Sequence, residues 1–203
     1  YEMDLAVRDI VARGYMVQML LEGRLDELEE QVALWDEHFV AWRDINWNFL
    51  HFVSSAALHL QRGRVPQALD ALTYFCDTLA ERGPVIAQAR LMPDGALLAL
   101  QAGDIELARR MARHGLDAAE LTGAPWALVH ANAVGALCWQ DAPEGADMLA
   151  RAVTASSGHG AIDARYGIDR LIAPQLLSAA MVRGIGPREA VVAMTAACGG
   201  EVV

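Results

Sequence analysis

Six histidines, three cysteines and 26 acidic side chains are the raw material from which this 203-residue chain could build a reactive site. Their spacing argues against one. Metal binding by paired helical residues needs H-E-x-x-H or Glu-x-x-His, and neither occurs around His38, His51, His59, His114, His130 or His159. His51 and His59 sit about 12 Å apart along one helix, too far to share an ion. Asp36, Glu37 and His38 are consecutive, and consecutive helical positions fan outward instead of converging. Nucleophilic catalysis fares no better. Cys76 is followed by Asp77, with no histidine placed to take its proton, and Ser156–Ser157 lacks a G-x-S-x-G setting. All 16 basic residues are arginine, as the codon usage of a GC-rich genome would explain, so a nucleotide-binding G-x-x-x-x-G-K-[ST] loop is impossible. No aspartate-rich magnesium motif is present. The expectation is a non-catalytic chain without metal or cofactor.

The elements that would position any site are helices. Glycine and proline punctuation divides the chain into helix-length segments over 1–22, 24–43, 46–61, 65–82, 85–102, 104–122, 125–140 and 143–155. A loop is expected at "SSGHGAID", and two further helices at 162–183 and 187–198. In "DIELARRMARHGLDAAEL" Ile105, Ala108, Met111, Ala112 and Ala119 recur at helical spacing, with Arg109, Arg110, Arg113 and Asp117 elsewhere around the helix. Ala68, Leu69, Leu72, Phe75, Cys76 and Leu79 repeat that stripe one segment earlier. By contrast "FLHFVSSAALHL" and "WALVHANAVGALCW" are apolar nearly all round and must be covered on every side. No segment alternates with period two, so no strand is expected.

The helices recur. Gly23, Gly63 and Gly103 stand at intervals of forty, each preceded at three residues by a leucine (Leu20, Leu60, Leu100) and followed at five by Leu28, Ala68 or Ala108. Gly83 and Gly123 share the interval; each ends a helix, and Gly83, with Pro84 behind it, is expected to take the left-handed cap. The fourth unit repeats the pattern loosely through Cys138, Asp141 and Ala146, and the fifth keeps Met181 and Gly184. Five αα-hairpins near residues 1–43, 44–83, 84–123, 124–158 and 161–199, forming a single domain over 1–203, predict a helical solenoid.

A glycine, an alanine five residues later and a glycine or proline at the repeat end resemble tetratricopeptide repeats, lengthened from their 34-residue period. Phrases such as "LLALQAGDIELARRMARHGLDAAEL" are similar to the repeat domains of large ATP-dependent LuxR-type bacterial regulators, the maltose-activator-like class. The resemblance is clearest over 47–123, while Met16 and Leu177 are bulky where that pattern has small residues. It implies a right-handed superhelix whose first helices line a concave groove. Counted from each turn, the groove-facing candidates are Gln61, Gln101 and Trp139, with Arg90 and Asn132 deeper along the wall; an Arg and an Asn on an apolar wall suit a carboxylate or a peptide backbone. The implied role is to sense a small-molecule effector or a protein partner, with the ATPase and helix-turn-helix modules outside this segment. A scaffold holding a peptide or helix is the first alternative, and an all-α enzyme acting through unusual residues ranks below it.

Bulk properties agree with a soluble, cytoplasmic domain of that kind. Net charge is −10 and the arginines are scattered, which disfavours direct contact with nucleic acid. No apolar run reaches the roughly 18–20 residues of a membrane span. Three cysteines far apart in sequence read as buried thiols in a reducing compartment. A helix already under way at Tyr1 suggests a piece of a longer protein, with terminal repeats open to self-association. Pro93 and Pro174, each ten residues before a turn glycine, either bend a first helix or begin one.

Overall fold

A computed structural model describes residues 16, 18–20, 22–41 and 45–159. It is all-α, with no strand among the described residues. The chain divides into two compact units, Tyr1–Gly83 and Pro84–Val203. The first contains α1 (Leu25–Ala41), α2 (Ile45–Gln61) and α3 (Val65–Arg82). The second contains α4 (Val85–Gln101), α5 (Ile105–Thr122), α6 (Pro125–Cys138) and α7 (Pro143–His159). Each helix packs on its neighbours in the chain within its unit, and α4 also touches α6, the next first helix along. None of these helices is long and apolar enough to cross a membrane. The fifth hairpin, including Pro174, Leu177, Met181 and Gly184, lies outside the described residues, as does Cys198.

The forty-residue interval is a repeated turn. Gly23, Gly63 and Gly103 have φ of 69°, 70° and 85°, a region that L side chains with a Cβ enter at a cost. Each glycine N–H donates to the leucine carbonyl three back: Leu20, Leu60 and Leu100, at 3.3, 2.9 and 3.0 Å. The next N–H reaches five back: Arg24 to Met19, Arg64 to His59 and Asp104 to Ala99, at 2.9, 2.8 and 3.0 Å. Those paired bonds satisfy the last carbonyls of one helix. The same three residues then accept the first bond of the next helix, from Leu28, Ala68 and Ala108. All three donors are fully buried, so the residue five after the glycine is where the second helix meets its partner.

Gly83 departs from the expected left-handed cap. Its φ is −78° and ψ 146°, because the ring of Pro84 drives the preceding residue into the extended region. Glycine is needed there for space: a Cβ would stand 2.3 Å from Leu79 Cδ1 and 2.6 Å from its carbonyl oxygen. The fourth turn differs as well. Trp139, expected within a helix, is instead the residue just past α6, with its N–H on the Gly135 carbonyl at 3.0 Å. The close approach expected at Ala146 falls on Gly145, where a Cβ would lie 2.1 Å from the Trp139 carbonyl oxygen. Ser156, Ser157, Gly158 and His159 continue α7 where a loop was expected; only the glycine among them carries a helix penalty near 1 kcal/mol.

Pro93 lies inside α4 and is buried, which decides against a helix beginning at the proline. Its ring fits the surface of α5 at Gly115, where a Cβ would meet Pro93 Cδ at 2.8 Å and Cγ at 2.9 Å. The amphipathic stripe of α3 is buried as expected through Ala68, Leu72, Phe75, Cys76 and Leu79, with Leu69 half-buried. In α5 the buried set is Leu107, Ala108, Met111, Ala112, Gly115, Leu116, Ala118 and Ala119. Ile105, expected on that stripe, is half exposed at the first position of the helix, immediately beyond the turn. Of the two nearly all-round apolar first helices, α6 buries nine residues but leaves Trp126 47% exposed, and α2 buries Val53, Ser54, Ala56 and Leu58 among its described side chains; α4 also buries nine. In the first unit Met16 and Met19 join Leu28, Val32 and Leu58 in one core, so the bulk of Met16 is accommodated there.

Candidate functional site

After Gly23 in the first unit and Gly103 in the second, the residue six positions on reaches the next turn of that unit. In the first unit that residue is Glu29, and it reaches forward to the next turn, where Arg64 Nη1 donates to Glu29 Oε1 at 2.5 Å. Arg62 also reaches back from that turn, to Asp26 and, at 3.4 Å, to Glu29. Arg24, in the preceding turn, is held by Glu22 and Glu27. The carboxyls of Glu22, Glu27 and Glu29 lie below their ordinary range. Hydrogen bonds lower them, from Gln18 and then Arg24 to Glu22, from Arg24 to Glu27, and from Arg64 to Glu29.

In the second unit the corresponding residue is Arg109. Its Nε donates to the Cys138 carbonyl at 3.0 Å, again on the next turn. The sign of the charge is reversed and so is the partner. The Arg109 guanidinium lies 5.9 Å from the Trp139 ring centroid, and that of Arg113, one helical turn on, lies 5.0 Å from it. Both fall within cation–π range. Glu106 is 3.6 Å from Arg109 but almost fully exposed, so this ion pair is weak. Arg113 has no carboxylate within 4.0 Å among the described residues, and its side chain is exposed. Burial pushes the adjacent Cys138 thiol up to about 12, against the opposing pull of the Arg109 charge. Cys138 and Cys76 are both buried and outside any disulfide.

A second polar contact crosses between α4 and α6. His130 Nε2 and Asp94 Oδ1 stand 3.0 Å apart, both mostly buried, joining first helices of neighbouring hairpins. No group of three His, Cys, Asp or Glu side chains among the described residues could hold a metal ion.

The five candidate binding residues fall in different places. Gln61 belongs to the first unit and is exposed at the end of α2. Gln101 is exposed at the end of α4, and Arg90 is exposed near that helix's start. Asn132 is buried within α6; its Nδ2 donates to the Leu128 carbonyl at 2.8 Å, while its Oδ1 has no hydrogen-bond partner. Trp139 is half-buried beneath the two arginines. Two guanidiniums thus meet at this one of the five candidates. In the sequence Arg109 and Arg113 lie off the apolar stripe of their helix and carry no expected role. The available signal was their spacing of four together with the match between Arg109 and Glu29, each six residues after a turn glycine.

No protein-family model, no curated protein and no solved structure matches the chain.

Proposed function

We propose that this chain is a non-catalytic, TPR-like repeat domain that binds a ligand or protein partner as part of a cytoplasmic bacterial transcriptional regulator of the LuxR type. Its hairpins continue into a right-handed superhelix, and occupancy of the concave groove shifts the angles between hairpins and so controls a separate effector module. The observation that carries the reading is the recurrence of one turn, with the same backbone bonds, at Gly23, Gly63 and Gly103. Stacked units of this kind present extended surfaces, and binding is the use to which such surfaces are put. The placement of Arg90 on α4 and Trp139 at the end of α6 is compatible with polar anchors on such a surface.

Calorimetric titration with fractionated bacterial metabolites tests the binding role. Heat should appear with the native chain and vanish in the Arg90→Ala, Trp139→Ala double variant, while the thermal melt of the variant stays cooperative. Equal heats from both proteins contradict the groove assignment. The reading frame around Tyr1 and Val203 tests the regulator assignment separately: it should encode a nucleotide-binding loop upstream and a helix-turn-helix downstream.

A further inference from the structure

Ile105, Arg109 and Arg113 are spaced at four residues and so lie along one stripe of α5, with Trp139 against its two arginines. We infer that this stripe binds a short acidic–apolar peptide segment of a partner protein, its carboxylates on Arg109 and Arg113 and an apolar side chain on Ile105. The inference rests on the binding-domain reading and names the partner's chemistry.

Three observations carry it. First, two like charges four apart destabilise an isolated helix, yet here both guanidiniums are gathered on a single indole ring. Second, the arginines of the first unit's turns, Arg24, Arg62 and Arg64, are each neutralised by a carboxylate. Arg113 has no such partner among the described residues; its guanidinium carbon lies 5.0 Å from the Trp139 ring centroid, and its exposed side chain can meet an external oxyanion. Arg109 has its Nε committed to the Cys138 carbonyl, which anchors the fork, and its Nη1 is 3.6 Å from the exposed Glu106, its one carboxylate contact among the described residues. A planar fork held in place is suited to a carboxylate, because less side-chain freedom is lost on binding. Third, Ile105 is 50% exposed one turn away, so the stripe offers apolar contact beside charge. Enclosure is what holds a small molecule; an open strip of this shape matches an extended segment instead.

The test is fluorescence anisotropy of the full chain with a labelled peptide of alternating glutamate and leucine, beside a glutamine–leucine peptide of the same length. The glutamate peptide should bind, and more weakly as salt rises. Arg113→Gln should weaken it about tenfold or more, the loss expected of a charge-assisted hydrogen bond. Ile105→Ser should weaken it several-fold, about the value of the apolar area lost. Both sites are exposed, and unchanged helical circular dichroism verifies that the variants fold. Equal affinity for the two peptides, or unchanged affinity in Arg113→Gln, overturns the proposal. So does a dimer in sedimentation that Arg113→Gln abolishes while the peptide fails to bind, since the occupant would then be a second copy. Peptide failure alongside retained metabolite heat sinks the stripe alone, whereas absence of heat from every ligand sinks the binding-domain reading.

Discussion

At Gly63 and at Gly103 the backbone makes the same left-handed turn and the same pair of hydrogen bonds, but the residue that follows differs: Arg64 in one, Asp104 in the other. Asp104 caps its own helix, its Oδ1 accepting from the Leu107 N–H at 2.9 Å. Arg64 cannot accept a bond and α3 has no side-chain cap; its guanidinium turns back to Glu29 on α1. The first unit therefore stabilises its turn through ion pairs to the preceding repeat. The second does so locally, and uses the position six after the glycine for Arg109 and Trp139. One backbone motif thus tolerates opposite side-chain chemistry, because glycine and the buried residue five later carry the geometry and the rest is free to diverge.

That comparison can be broken where small residues admit close contacts. Gly145→Ala places a Cβ 2.1 Å from a backbone oxygen that cannot swing aside, and should destabilise the chain by about 3 kcal/mol in chemical denaturation. Gly115→Ala meets the rigid Pro93 ring at 2.8 Å, costing about 2 kcal/mol, partly offset by the roughly 1 kcal/mol that alanine gains in a helix. At the turn glycines the two units should behave alike. A Cβ on Gly63 or Gly103 meets nothing within 4 Å, so alanine at either should cost only the left-handed penalty, about 1 kcal/mol each. Unequal losses would show that the turns are not equivalent.

The next residue should then separate them. Asp104→Ala removes a cap and should cost about 1 kcal/mol, whereas Arg64→Ala breaks an exposed ion pair and should cost under about 0.5 kcal/mol. The pH limits should differ too. The Cys138 thiol has its folded value raised from 9.0 to about 12, so its contribution is full below pH 9 and is lost as pH rises through 12. Glu22, Glu27 and Glu29 have folded values below 4.5, so their small contribution is present above that pH and is lost in acid. Amide exchange should accordingly speed first around Trp139 in alkali and around Arg24 and Arg64 in acid. The reverse order would contradict the assignment of these groups.

Much of the fold was legible because a few positions admit few residues. A left-handed turn excludes most side chains, so Gly23, Gly63 and Gly103 announced themselves by interval, and Leu28, Ala68 and Ala108 proved to be the contact points. Gly83 was misleading for a local reason, since its conformation is dictated by Pro84 and its size by Leu79. The mutual fit of Pro93 and Gly115 was invisible because each looks like a helix defect alone; only the pairing of α4 with α5 makes the two complementary. The polar site was the least legible. Asp94 meets His130 across 36 residues, and Arg109 meets Trp139 across thirty, through contacts that depend on how one hairpin leans on the next. Helical periodicity shows which face of a helix is apolar, not which neighbouring turn its edge will touch.

The claim beneath all of this is that one turn recurs every forty residues. Through-hydrogen-bond couplings in the labelled chain measure it directly. They should connect the amide of Arg24 to the carbonyl of Met19, that of Arg64 to His59 and that of Asp104 to Ala99. Detection of all three is the predicted result; absence of the coupling at any one, with the other two present, would contradict it.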